Sequence, residues 1–362
     1  MAEKLGEIIL RFRDAAQIAH VTDPIAEDLS AVARAGDALF LSCDETAGID
    51  RLVEGPAGTW AMHEHIGLGE IFDQPDGPEG EADIEGLAVS EDADGPWLWI
   101  AGSHALKRRK AKRAEHDAEK AAKRLRKIER EANRYLLGRV PLAPAADGGL
   151  MPVARHRDRT AAALPFSGKK SALMEALEDD PLLAPFLDIP SKENGFDAEG
   201  LAASGQRVWL GLRGPVIAGH AVVIEMAVEA EPAGELKPRK LDGDRRYRLH
   251  LLPSGGLGIR DMTVLGEDLV LLTGPVLGGD GPAHVLRWRG ALAAEGGVVA
   301  EGALQPLGEV PYRGPVDHPE GLLPWPEAGE GAWLLVNDAP APERLCADGL
   351  SVTADILRLG HG

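Results

Sequence analysis

Short apolar runs of strand length, separated by polar or glycine-containing gaps, recur from one end of the chain to the other. Ala38 to Ser42, Trp97 to Ala101, Val208 to Leu212, Leu269 to Leu272 and Trp333 to Val336 are five of them. Their leucine, β-branched and tryptophan content suits buried strands. Ahead of each run lies a second segment headed by an acid. Three copies are close: Asp83-Ile84-Glu85-Gly86-Leu87-Ala88, Asp197-Ala198-Glu199-Gly200-Leu201-Ala202 and Asp317-His318-Pro319-Glu320-Gly321-Leu322. Two more keep an acid and lack the glycine, Glu27-Asp28-Leu29-Ser30-Ala31 and Ile259-Arg260-Asp261-Met262-Thr263. One unit, an acid-headed strand and its partner, therefore appears five times. Repetition at this period predicts a closed array of the propeller type.

Aligned on Asp28, Glu85, Glu199, Asp261 and Glu320, the copies are 57, 114, 62 and 59 residues apart. The long second step leaves room for a sixth blade. An inserted basic stretch and a Pro/Gly-rich loop account for most of it, so five blades is the preferred count and six the alternative. The expected fold is all-β, a β-propeller in one domain over residues 1–362. Ile49 to Val53 and Thr59 to Ile66 are outer strands of the first copy, and Pro185 to Ile189 is read as an outer strand before the third. Glu7 to Phe12 is a strand with no copy of its own, and the last copy lacks a clear outermost strand. Pairing the two closes the ring and leaves no free edge.

The insertion spans residues 105–135. Lys107 to Tyr135 has no Gly or Pro and is rich in Lys, Arg, Ala and Glu, which predicts a helix of about 28 residues. Residues 143–185 then read as a loop holding a short helix over Ser171 to Leu177. Charge sharpens the contrast. The chain carries −19 overall, yet residues 107–134 hold 13 Lys/Arg against 5 Asp/Glu, leaving −27 on the rest. An acidic body is a poor grip for nucleic acid. The basic helix is the candidate contact for a macromolecular partner, or a lid over the disc. No apolar run reaches the roughly 18 residues of a membrane span. The start of the chain lacks a basic, apolar export pattern, and only Cys43 and Cys346 are present, so a reducing cytoplasm is expected.

In a blade the first strand lies innermost and the second returns beside it, so the five acids should gather at one mouth of the central channel. The ends of the second strands reach the same mouth: Cys43-Asp44-Glu45, Ser103-His104, Arg213-Gly214-Pro215, Thr273-Gly274-Pro275 and Asn337-Asp338. Converging carboxylates repel and lose solvation unless protonated, paired or metal-bound. Hard oxygen donors without a Cys/His cluster point to Ca²⁺ or Mg²⁺, with Asp28, Glu85, Glu199, Asp261 and Glu320 as ligands. Arg213 is the expected anion-binding group and His104 the proton carrier. The competing reading makes the acids glue, accepting backbone N–H groups of the neighbouring blade, with the following glycine permitting close approach.

The combined motifs Asp28-Leu29-Ser30, Glu85-Gly86-Leu87-Ala88, Gly102-Ser103-His104, Glu199-Gly200-Leu201-Ala202, Gly211-Leu212-Arg213-Gly214-Pro215, Ile259-Arg260-Asp261 and Glu320-Gly321 resemble a bacterial family of unknown function, the domain-of-unknown-function family numbered thirty-six sixteen. That resemblance implies a propeller and leaves its chemistry open. The Glu-Gly-Leu starts also look like those of esterase-like phytases and calcium-activated nucleotidases, which implies Ca²⁺ near the axis; the nucleotidases' fuller strand motifs are missing here. The resulting expectation is a propeller that binds a divalent cation and a small anionic ligand at its acid-lined mouth, with metal-assisted hydrolysis of a phosphoester or ester. The rival is a non-catalytic scaffold for a macromolecule, working through the same face or the basic helix.

Overall fold

A computed structural model describes residues 2–43, 45–111, 117–167, 170–277 and 281–360, the side chain of Ala57 aside. Most of the expected strands are present. The first group comprises β1 (Glu3–Arg11), β2 (Leu29–Ala35), β3 (Ala38–Cys43), β4 (Gly48–Glu54) and β5 (Thr59–Gly67). Then come β6 (Ile84–Asp92) and β7 (Gly95–Gly102), joined in one sheet by β10 (Leu137–Pro144) and β11 (Leu150–Pro152). The next sheet orders β12 (Asp197–Ser204), β13 (Arg207–Gly214), β14 (His220–Ala230) and β15 (Arg248–Pro253). It is followed by β16 (Gly258–Leu265), β17 (Asp268–Gly274), β18 (Ala283–Trp288) and β19 (Leu304–Val310). Last are β20 (His318–Pro324), β21 (Ala332–Asp338) and β22 (Ser351–Arg358).

Every residue of β3 and of β17 is buried, as strands covered on both faces require. The first strands pack on one another in a cycle: β2 on β6, β6 on β12, β12 on β16, β16 on β20, and β20 back on β2. Buried apolar side chains lie between successive sheets. One cluster joins Trp99 of β7 to Leu201 of β12, and another joins Leu10 of β1 to Leu39 and Leu334 of the first and last sheets. This is a propeller-type arrangement of sheets.

Closure follows the predicted route. β1 runs antiparallel to β22, from Glu3 opposite Arg358 to Arg11 opposite Ser351. On its other side it touches β5 in parallel through Ile9–Thr59 and Leu10–Trp60, so the first and last groups of strands merge into one sheet of eight. Across that join Arg34 lies over both Trp60 and Trp325, 5.1 and 4.5 Å from their ring centroids. An ionic chain runs inward from it. Lys4 on β1 pairs with Asp355 on β22 at 2.8 Å, Asp355 with Arg344 at 2.6 Å, and Arg344 with Asp317 ahead of β20 at 2.7 Å.

Two expectations are corrected. The basic insertion is not a helix over 107–134. Its residues 112–116 lie outside the described residues; the others form a two-residue ladder of β8 (Lys107–Arg108) with β9 (Ile128–Glu129) around a short α1 (Ala118–Leu125). Asp117 caps α1 by accepting from Lys120 N, yet α1 buries nothing. Helix propensity is there, but without an apolar stripe there is no packing to extend it. The second correction is Pro185 to Ile189, where the chain makes a 3₁₀ turn (Ala184–Phe186) instead of a strand. The short helix of the loop is present as α2 (Ala172–Leu177), capped by Ser171.

The glycines that follow the acids are close-approach positions. A Cβ on Gly86 would stand 2.6 Å from Leu201 Cβ of the next sheet, and one on Gly321 would stand 2.7 Å from Val32 Cγ1. Gly86→Ala is expected to cost about 1–3 kcal/mol in denaturant unfolding. Gly6→Ala on β1, where a Cβ would meet nothing within 4 Å, is the control. Equal losses in the two variants would contradict the crowding explanation.

Candidate functional site

Each first strand carries a β-bulge near its start, and the bulges set the site; β12 has a further register shift between Asp197 and Ala198. In β6 the register passes from Ile84 to Gly86, in β12 from Ala198 to Gly200, and in β20 from Pro319 to Gly321. In β2 it passes from Leu29 to Ala31, and in β16 from Ile259 to Asp261. The residues that the bulges push out of the strand register are Ser30, Glu85, Glu199, Arg260 and Glu320, and all five line one cavity of about 360 Å³. The equivalent positions are therefore three acids, one serine and one arginine.

This register sorts the five predicted acids. Glu85, Glu199 and Glu320 stand where expected. Asp28 also lines the cavity, but two residues ahead of its bulge, at the level of Asp83 and Asp197, which line it too. Asp261 is one residue past its bulge and is not part of this wall. Its two oxygens accept from Met262 N and from Leu322 N of the neighbouring sheet, each at 2.7 Å. Burial pushes this carboxyl well up. For Asp261 the glue reading holds. It borders a second cavity, lined by apolar side chains farther along the same strands, among them Val32, Leu87 and Leu322.

Arginines occupy the spaces between the acids. Arg213 Nη1 lies 2.8 Å from Glu199 Oε1 and 3.9 Å from Asp197 Oδ2. Arg260 Nη1 lies 2.6 Å from Glu320 Oε1 and 3.4 Å from Glu199 Oε2, and Arg260 Nη2 donates to Pro275 O. Arg134, from the segment ahead of β10, binds Asp83 at 2.5 Å, Glu131 at 2.6 Å, and Glu81. Ca²⁺ or Mg²⁺ would need several oxygens free to converge on one point. Here a fixed guanidinium already joins the two central carboxylates, and no three His, Cys, Asp or Glu side chains among the described residues are grouped to hold a metal. The residues present do not fit a divalent cation.

Burial leaves some of these carboxyls protonated. Asp197 is pushed up to about 8, first by burial and then by Glu199. Glu320 is likewise raised to about 8 by burial, more than Arg260 beside it pulls it down. Asp28, half-buried near Asp338, rises to about 6. Arg213 is raised too, which in a base favours the charged form: the Glu199 carboxylate holds it firmly charged.

His104 is not in the cavity wall. It sits at φ 55°, fully buried, with Nδ1 2.9 Å from Gly102 O and its ring edge-on to Tyr135 at 5.7 Å. Burial lowers it to about 4, so at neutral pH it is an uncharged packing residue away from the cavity. Among the second-strand ends, Glu45, Arg213, Gly274, Pro275 and Asp338 line the cavity; Asp44 lies outside the described residues. Lys107, Arg108 and Lys110 of the basic insertion form part of the rim, with Arg108 paired to Glu193 and Lys107 to Glu81. Sequence reasoning missed Arg260, Arg134, Asp83 and Asp197. The two aspartates were visible as the first residue of Asp-x-Glu-Gly in the second and third copies.

The family described as "Protein of unknown function (DUF3616)" matches residues 28–355. The chain belongs to that family. No curated protein matches its sequence. Among solved structures, the glutaminyl cyclase of Myxococcus xanthus is similar at 12% identity and TM-score 0.40, covering 99% of each chain. An exo-1,5-alpha-L-arabinanase from a bovine ruminal metagenomic library is similar at 11% identity and TM-score 0.40, covering 96% of each. The calcium-binding protein regucalcin from Agrobacterium tumefaciens is similar at 9% identity and TM-score 0.36, covering 97% of this chain and 95% of the other. At these values the likenesses carry no argument about activity, which rests on the residues of this DUF3616 member alone.

Proposed function

We propose that this DUF3616 protein is a five-bladed propeller, its sheet of eight counting as first and last blades, and that the mouth of its channel binds and hydrolyses a small polar ligand without a metal. The observation that carries the reading is Arg260 Nη1, which touches Glu199 and Glu320 at once, while Glu320 holds a proton near neutral pH. A protonated carboxyl sharing one arginine with a second carboxyl can work with it as an acid–base pair. In ester cleavage, water attacks the carbonyl carbon and its proton passes to Glu199. Glu320 gives its proton to the departing alkoxide, and Arg213 faces the negative oxygen of the intermediate. Phosphoesters are disfavoured, since Glu85, Glu199 and the other wall carboxylates would repel their charge.

The test is hydrolysis of a panel of chromogenic esters and phosphoesters, with and without chelator. Ester turnover that survives chelation and falls about a hundredfold or more in Glu320→Gln is expected. Activity lost to chelator, or kept by Glu320→Gln, would overturn the mechanism. The exposed basic face of α1, with Lys120, Lys123 and Arg124, supports a second reading, contact with an acidic macromolecule, and confines it to the insertion.

A further inference from the structure

Four buried polar atoms of the cavity wall lack hydrogen-bond partners among the described residues: Asp317 Oδ2, which has Arg313 Nε at 3.4 Å, and three others, Glu199 Oε2, Glu320 Oε2 and Arg213 Nε. Glu199 and Glu320 are only 2% and 7% exposed, and Arg260 Nη1 lies 3.4 Å from Glu199 Oε2. A buried polar atom left unpaired costs about 1–3 kcal/mol. These three belong to side chains that border an open cavity, so an entering molecule can satisfy them together.

Their chemistry restricts what that molecule is. Phosphate or carboxylate would satisfy Arg213 but face Glu199, Glu320 and Glu85. An amine would satisfy the acids but face Arg213 and Arg260. A hydroxyl both donates and accepts, so neighbouring hydroxyls can donate hydrogen bonds to Glu199, exchange them with the protonated Glu320 and accept from the arginine. The composition of the wall agrees, with eleven Asp/Glu and seven Lys/Arg interleaved and no field of one sign. At the rim Tyr312 is 49% exposed, a large aromatic face beside the opening. It suits the C–H face of a saturated ring.

We infer that the mouth takes a neutral polyhydroxylated ligand of mono- or disaccharide size, with Glu199, Glu320 and Arg213 reading its hydroxyls and Tyr312 covering its ring. The inference rests on the proposed reading of the mouth as a ligand site and assigns its substrate class. The volume of about 360 Å³ lies in the range of small-ligand sites.

Calorimetric titration of the full chain tests it, with glucose, xylose, arabinose, cellobiose and maltose as neutral probes. Phosphate and citrate serve as anions and spermidine as a cation. Binding of at least one saccharide is expected, weakened tenfold or more in Glu199→Gln and severalfold in Tyr312→Ala. Tyr312 is exposed, so its variant reports binding even if Glu199→Gln folds poorly. Saccharide binding untouched by both substitutions would overturn the assignment. If phosphate, citrate or spermidine binds and no saccharide does, the class is wrong and the mouth remains a ligand site. If no probe binds, the class assignment falls; ester turnover lost in Glu320→Gln would then uphold the mouth as a site, and its absence would sink both.

Discussion

Removing residues 2–12 is expected to unfold the whole molecule and not merely to trim it. β1 lies between β22 and β5 and, among the described residues, is the strand whose pairing joins the last group of strands to the first. Ile8, Leu10 and Phe12 are each buried to 4% exposure or less in the cluster shared by the first and last sheets. Burying three such side chains contributes on the order of 5–9 kcal/mol, comparable with the net stability of an ordinary domain. The deletion would also strip Lys4 from Asp355 and bare the edge of β22, a template for aggregation. Circular dichroism should report loss of β-structure at room temperature, or a melting temperature lower by tens of degrees. A truncated chain that melts cooperatively within a few degrees of the parent would disprove closure by β1.

The same ring explains what the sequence did and did not disclose. Strands such as Val208 to Leu212 and Leu269 to Leu272 are packed on both faces, so they appear as unbroken apolar runs. β1 could be assigned to the last sheet because an unpartnered strand at one end complements a missing strand at the other. Register was harder. Aligning the copies by their acids set Asp28 and Asp261 beside Glu199, whereas the bulges align Ser30 and Arg260 with it. A bulge is a matter of hydrogen bonding between two strands, and the acid-headed segment alone does not reveal it. The spacing within the copies held a clue: Asp28-x-Ser30, Asp83-x-Glu85 and Asp197-x-Glu199 share an aspartate two residues ahead of the axial position. The counter-ions were invisible for another reason. Arg134 reaches Asp83 from 51 residues away, and Arg260 reaches Glu320 from 60. Buried acids must be neutralised by something, and here the guanidiniums of Arg134 and Arg260, far away in the chain, do it in place of a metal. Composition misled in the insertion, where helix-forming residues without an apolar face gave only the eight residues of α1.

Those buried acids predict how stability responds to pH. Asp197 and Glu320 rise from ordinary carboxyl values, 3.8 and 4.5, to about 8 in the folded chain. The native state therefore keeps two protons that the unfolded chain releases, and stability must fall as pH climbs toward 8. Other groups act in lower windows. His104, lowered from 6.5 to about 4, adds stability as pH rises to 6.5 and nothing above it. Asp28 is finished by about 6, and Asp50, Glu225 and Asp355, held low by His63, His250 and Arg344, matter only in acid. Between 6.5 and 8 Asp197 and Glu320 act in the same direction as Asp261 and Asp83, which burial also pushes up. Since one unit of pH is about 1.4 kcal/mol per proton, the loss from Asp197 and Glu320 across that window is on the order of 3 kcal/mol. Melting followed from pH 6.5 to 8 should show a decline of a few degrees, and Glu320→Gln with Asp197→Asn should flatten it by removing both protons from the exchange. A parent curve that is level or rises over this interval would mean that the axial carboxyls are already ionised, and Glu320 would lose its standing as the acid.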